Sequence, residues 1–283
     1  RDLHSFPTRR SSDLLLADGA TGTLLDALLG DAAHDRRDLL ALERPEIIRK
    51  VHESYLRSGA DIIKTATFNA SARGLLRLAT GAKEAGELSR RLNAAAAALA
   101  RSAAAEATQV DARPRWVAGS IGPGADAPSL GGPGYAALRA SYLPQCPGLI
   151  EGGADLALIE TVQDSLQCKA ALGALEEAGR TLGRRLPFIA SATVDARGRL
   201  LSGADAEAFA VIVEPFGPLA LGLNCSGGPE ELEAAFATLA SVSSAPLSLM
   251  PNAGLPRSSG GRVVWPLEAE AFAERCATLA RRH

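Results

Sequence analysis

Histidine and cysteine are scarce, with four of each in 283 residues. The histidines, His4, His34, His52 and His283, fall outside every strand-like segment, which argues against a histidine-rich metal site and a Ser-His-Asp triad. The cysteines, Cys146, Cys168, Cys225 and Cys276, lie far apart without CxxC spacing. They are too sparse for a disulfide framework, and a reducing, cytoplasmic setting is expected. No apolar run approaches a membrane span, and the N-terminus lacks the basic, apolar and small-residue succession of a signal peptide. Neither charge sign dominates: 30 Lys and Arg stand against 32 Asp and Glu, a net charge of −2. Nucleic acid and anionic membrane are therefore poor partners, and a small-molecule ligand is expected.

The chain does have an apolar fraction of 47%, enough for one large domain or two small ones. Residues 1–14, RDLHSFPTRRSSDL, lack helical or strand periodicity and differ in composition from the Ala-, Leu- and Gly-rich remainder of the chain. They read as a non-native or disordered tail outside the fold. Thereafter short apolar runs ending in Gly, Thr, Asn or Pro alternate with longer amphipathic segments. Seven strands are expected, at 14–23, 60–68, 116–123, 154–161, 187–194, 219–226 and 247–254. Helices are expected at 44–58, with Pro45 in the first turn, at the Ala-rich 83–107, and at 266–283. The stretches YLRSGADIIKTATF and LIEGGADLALIETV echo each other, with Gly59 and Gly153 suited to helix C-caps. That echo is either an internal repeat or the common look of two helix-to-strand connections.

Strands apolar on both faces, alternating with helices, imply parallel pairing with right-handed crossovers. Length and unit count favour an α/β fold of the (β/α)8 TIM-barrel type over a doubly wound sheet. The eighth strand is missing from this chain, so either the barrel is open or the domain, 15–283, is incomplete at its C-terminus.

In such a barrel the chemistry sits at the C-terminal strand ends. These ends carry Asp18, Gly19 and Thr21; Lys64, Thr65, Thr67 and Asn69; Ser120 and Gly122; Glu160 and Thr161; Ser191 and Thr193; Asn224 and Cys225; and Asn252. Two acids, many hydroxyls and amides, and one thiol suit a small zwitterion. Asp18 and Glu160 would take its ammonium, and the Gly-rich backbone after Asp18 its carboxylate. Asp18 before Gly19 also reads as a turn former, and Cys225 as a small buried apolar residue. SLGGPG (129–134) and SGGPEE (226–231) precede helix-like patterns but match no Walker or Rossmann spacing.

The motifs DGATGT, GADIIKTATFNA, VAGSIGP, GGADLALIETVQDSLQCKAAL, GLNCSGGPEEL and PNAGLP, in this order over residues 15 to about 280, together resemble the homocysteine S-methyltransferase family. The resemblance extends to the homocysteine-binding module of cobalamin-dependent methionine synthase. It implies a (β/α)8 barrel in which zinc, held by three cysteine thiolates, takes the thiol of homocysteine as its fourth ligand. Cys225 matches the first of those cysteines, and the family's adjacent Cys-Cys pair has no counterpart in this chain. Asp18 and Glu160 match the contacts to the substrate ammonium. Gly19, Thr21, Thr65, Ser191 and Asn224 complete the expected substrate site, and Asn252 matches a residue that approaches the metal without substrate. Lys64 and Ala66 depart from the Glu and Asn usual in the methionine synthase pattern. The resemblance implies methyl transfer to homocysteine, giving methionine, with the donor left open: methylcobalamin or methyltetrahydrofolate presented by folate-binding and cobalamin-binding modules of a longer chain is expected, while S-methylmethionine and betaine serve other relatives. With one of three thiolates, this chain is expected to turn over little. A metal-free amino-acid-binding protein, and a Schiff-base enzyme using Lys64, are the competing readings.

Overall fold

A computed structural model describes residues 14–29, 36–124, 127–259 and 262–283. The expected tail at 1–14 lies outside the described residues except for Leu14. Six parallel-sheet strands succeed one another along the chain: β1 (Ile62–Lys64), β2 (Trp116–Ile121), β3 (Leu156–Val162), β4 (Phe188–Ala192), β5 (Ala220–Cys225) and β6 (Leu247–Pro251). They hydrogen-bond in that same order. The β1–β2, β4–β5 and β5–β6 pairs are all parallel.

The chain divides into two compact units. The first comprises Arg1–Ile121, Ser141–Ala157 and Leu175–Pro187. Helix α1 (Thr21–Leu29), the short α2 (Leu40–Glu43), α3 (Pro45–Arg57), α4 (Ala82–Asp111) and α6 (Gln145–Glu151) belong to it. Pro45 opens α3 at the first helical position, where its missing N–H costs nothing. Alanine lets α4 run for 30 residues, and its buried Ala96, Ala97, Ala100, Ala103 and Ala104 give it a thin apolar face. Helix α6 meets that face through glycines one turn apart. A Cβ on Gly148 would stand 2.5 Å from Arg90 O, and one on Gly152 would stand 2.4 Å from Ala94 O. Only glycine allows backbones this close.

The second unit comprises Gly122–Ala140, Leu158–Ala174 and Phe188–His283. It holds α5 (Tyr135–Tyr142, in part), α8 (Ala206–Val213), α9 (Pro229–Val242), an antiparallel hairpin of β7 (Arg257–Ser259) and β8 (Arg262–Val264), and α10 (Ala269–Arg282). Helix α7 (Ser165–Thr181) begins here and ends in the first unit.

Two expectations need correction. The first expected strand, 14–23, contracts to a single parallel bridge between Ala17 and Ile62. Glycine and threonine in DGATGT give way to α1 at Thr21 instead of sustaining extended backbone. The parallel sheet also numbers six strands among the described residues in place of the seven expected, and β7 and β8 pair with each other.

The echoed segments have a shared physical basis. Gly59 and Gly153 adopt φ of +97° and +91°, ending α3 and α6 as only glycine does without strain. The aspartate two residues on then accepts a backbone N–H from the neighbouring segment. Asp61 accepts the Leu16 N–H at 3.0 Å and pairs with Arg113, while Asp155 accepts the Val117 N–H at 2.8 Å and pairs with Arg101. Each carboxylate sits at the amino end of a strand, away from the carboxyl ends.

His52, on α3, is 1% exposed, and neither ring nitrogen has a hydrogen-bond partner among the described residues. Burial pushes its pKa down from 6.5 to about 4. The unfolded chain takes up this proton below pH 6.5 while the folded chain does so only near pH 4, so stability is lost as pH falls through that window. The loss is of the order of 3 kcal/mol. Urea unfolding of the His52→Leu variant is expected to show a flatter acid limb than the parent chain; equal slopes would contradict the assignment.

Candidate functional site

Lys64, Thr65, Ser120, Glu160, Thr161, Ser191, Thr193, Asn224, Cys225 and Asn252 lie within two residues of the carboxyl ends of their strands, whereas Asp18, Gly19 and Thr21 follow the isolated Ala17 bridge and Thr67 and Asn69 lie further past β1. On the first unit, Asp18 comes directly after the Ala17 bridge, and its backbone N–H donates to Ile62 O at 2.8 Å. Its carboxylate turns back to β1: Oδ2 accepts the Lys64 N–H at 2.8 Å, and Oδ1 lies 3.9 Å from Lys64 Nζ. Gly19 is required by a ring that no sequence pattern disclosed. The Tyr55 hydroxyl, carried on α3, donates to Ala20 O at 3.2 Å, and a Cβ on Gly19 would stand 3.0 Å from the Tyr55 oxygen. Burial, then the charge of Asp18, raises the Tyr55 pKa, with Lys64 opposing. Thr21 opens α1, half-buried.

Thr65 and Thr67 close a small circuit with β2. Thr67 Oγ1 donates to Ser120 O at 2.7 Å, which commits its proton. The 2.6 Å contact between the two hydroxyls is therefore a donation from Thr65. Thr65 Oγ1 in turn accepts the Ser120 N–H at 2.9 Å. Gln145 adds bonds to Thr67 O at 3.0 Å and Ser120 O at 3.3 Å. Both threonines are buried. Lys64 and Thr65 are thus pinned to β2.

On the second unit, Asn224 organises the site. Its Oδ1 accepts the Thr161 N–H at 2.9 Å, and its Nδ2 donates to Thr161 Oγ1 at 2.8 Å and towards Cys225 Sγ at 3.2 Å. The Thr193 hydroxyl donates to Asn224 O at 2.7 Å. Thr161, Cys225 and Ser226 all adopt positive φ, +59°, +58° and +65°. That region is costly for non-glycine residues, and for a β-branched threonine most of all. Such strain gathers where surrounding bonds over-determine the backbone, as the Asn224 amide does here. Thr161 Oγ1 lies 3.8 Å from Cys225 Sγ. With its oxygen accepting from Asn224, it has its proton free to turn to the sulfur.

Around this core, Glu160 is 7% exposed and Ser191 fully buried. Ser191 Oγ has no hydrogen-bond partner among the described residues. Asn252 donates its N–H to Gly227 O at 2.9 Å, which brings the loop after β6 against the loop after β5. A Cβ on Gly228 would stand 2.9 Å from Gly254 Cα, so the SGG stretch serves this close approach. Glu231 accepts the Gly228 N–H at 2.7 Å at the start of α9, leaving an acid where a phosphate would need a donor. Cys146 and Cys168 are fully buried in α6 and α7, their thiols pushed up to about 12 by burial. Burial also raises Cys276 on α10. Tyr55 is a residue of this region that sequence reasoning did not name, and Thr161, named among the strand ends, had no role assigned to it. Neither contact is local: Tyr55 meets a carbonyl 35 residues away, and Thr161 an amide 63 residues away.

This geometry defines an α/β chain with a chain-ordered parallel sheet that carries its polar groups on the carboxyl ends of its strands. The homocysteine S-methyltransferase family model matches residues 15–283, and the chain belongs to that family. It is similar to methionine synthase of Mycobacterium tuberculosis, 36% identical over 272 residues, which cover 94% of this chain and 22% of that protein. Methionine synthase of Mycobacterium leprae is 35% identical over 273 residues, 93% of this chain and 22% of that protein. The chain therefore spans about a fifth of the length of these relatives. Among solved structures it is similar to the homocysteine methyltransferase MmuM of Escherichia coli. The metallated form superposes with a TM-score of 0.73 at 27% identity over 86% of this chain and 85% of that one. The oxidised form gives 0.72 at 28% over 86% and 83%.

The role of the Thr65 circuit can be tested by itself. Thr65→Val keeps the shape but leaves the buried Ser120 N–H without its acceptor, which is expected to cost about 1–3 kcal/mol in urea unfolding. A change under about 0.5 kcal/mol would show that the circuit does not hold β1 to β2.

Proposed function

We propose that this chain binds homocysteine and presents its thiol for methylation, giving methionine. The observation that carries this reading is the strand-end Asn224–Cys225 pair, with its sulfur held by side-chain donors, in a chain of this family. Residues 15–283 are read as one homocysteine-binding domain of barrel type, supported by the span of the family match. Asp18 and Glu160 are the proposed partners of the substrate ammonium, with Gly19 and Thr21 offering donors to its carboxylate. Ser191 offers a buried hydroxyl, and Asn224 and Cys225 take the thiol end. Thr65 acts through its circuit, holding the β1 end in place. No helix among the described residues is long and apolar enough to cross a membrane; the cytoplasm is the proposed setting.

In the reaction the homocysteine sulfur attacks the methyl carbon of the donor. The S–C bond forms, the donor–methyl bond breaks with its electron pair staying on the donor, and the thiol proton passes to water. Methylcobalamin or methyltetrahydrofolate, carried by cobalamin-binding and folate-binding modules, is the proposed methyl source.

Zinc is the metal the family resemblance implies, and when bound it would turn the substrate thiol into a thiolate. A catalytic zinc takes three protein ligands and one open position. Among the described residues no three His, Cys, Asp or Glu side chains converge; Cys225 stands with Asn252 as its one proposed companion. These residues do not make up such a site. One thiolate in place of three also underlies the low turnover proposed for this chain. Lys64 as a Schiff-base amine is disfavoured, because its contact with buried Asp18 supports the ammonium and not the free amine.

Calorimetric titration tests the reading. L-Homocysteine is expected to bind in preference to L-methionine, with the preference lost in Cys225→Ala. Equal binding of both by the parent chain would favour a metal-free amino-acid-binding protein instead.

A further inference from the structure

The acid proposed to receive the substrate ammonium already faces an ammonium of this chain. Lys64 contributes two groups to Asp18: its backbone N–H bonds Oδ2 at 2.8 Å, and its Nζ lies 3.9 Å from Oδ1. The side chains are 14% and 1% exposed, so little water screens the pair. The N–H bond fixes the carboxylate relative to the β1 backbone, because Lys64 is the last residue of β1 and Thr65 beside it is locked to β2. The Lys64 ammonium lies 3.9 Å from Oδ1, a charge contact with that oxygen beyond hydrogen-bond distance, and it rides on a flexible four-carbon stem. Tyr55 bounds the same corner, its ring against Gly19 and its hydroxyl on Ala20 O.

We infer that Lys64 is a specificity-determining residue, an internal placeholder ammonium that balances Asp18 and sets how much the site gains from a ligand's own amino group. The inference rests on the homocysteine reading above and deepens it. A ligand ammonium reaching Asp18 must displace Lys64 Nζ or share the carboxylate with it, and either way the gain from that ammonium is reduced. A ligand with the same thiol and carboxylate but no amino group meets no such competition, and the lysine offers it a cation.

The test compares L-homocysteine with its deaminated analogue 4-mercaptobutanoate, by calorimetry on the full chain and its Lys64→Met, Lys64→Gln and Lys64→Arg variants, with circular dichroism confirming the fold. Removing the lysine charge is expected to tighten L-homocysteine about tenfold, a small fraction of a full charge contact at this spacing. It should not tighten 4-mercaptobutanoate, and Lys64→Arg should behave as the parent chain does. The inference is overturned if both neutral variants bind L-homocysteine no more tightly than the parent. If neither the parent nor any variant binds L-homocysteine, the substrate reading falls and this inference with it. Binding that ignores Lys64 removes the inference alone.

Discussion

A single side-chain amide sets the geometry on which the second unit's chemistry depends. Asn224 bonds the N–H and the hydroxyl of Thr161, so the end of β5 is tied to the end of β3 by two bonds of ordinary length. The same Nδ2 points to Cys225 Sγ. An amide that accepts with one atom and donates with the other cannot be replaced by a carboxylate or an aliphatic side chain without leaving a buried polar group unmatched. This explains why three unusual demands are met at one place: a threonine, a cysteine and a serine, none of them glycine, all hold positive φ. The backbone is turned so that the sulfur leaves the strand end beside the two donors, Asn224 Nδ2 and the Thr161 hydroxyl.

The first unit reaches a similar end by different means. There the strand end is secured by the Thr65–Thr67–Ser120 circuit and by the Asp18 carboxylate on the Lys64 N–H. Hydroxyls that look available in the sequence are consumed by the fold, and the polar groups left to meet a ligand are fewer than a count of strand-end side chains suggests. The opposite ends of the strands are capped by Asp61 and Asp155, whose arginine partners keep those acids structural. Asp61 and Asp155 share a Gly-Ala-Asp setting, and their place at the amino ends of β1 and β3 makes both of them supports.

Much of this was legible in the amino-acid sequence, for reasons that differ from element to element. β2 to β6 are apolar on both faces and bounded by turn residues, so their places can be read from pattern alone, and Pro45 marks the start of α3 where it falls. The first strand was not legible, because DGATGT carries the same glycines and threonines whether it ends a strand or opens a helix. The β7–β8 hairpin was missed for want of alternation in RSSGGRVV. At the site, Asp18, Glu160, Asn224 and Cys225 could be picked out as polar residues at apolar strand ends. The partnership of Tyr55 with Gly19, and the capture of the Thr65 hydroxyl, depend on contacts between distant segments and on which proton each group has left to give.

Asn224 and Thr161 act as one unit at the strand ends, and on that the rest of the site depends. A double-mutant cycle of Asn224→Ala and Thr161→Val, read by urea unfolding, measures this directly. The two losses are predicted not to add, with a coupling above about 1 kcal/mol, as for residues sharing a buried hydrogen bond. Losses that add to within about 0.5 kcal/mol would contradict it.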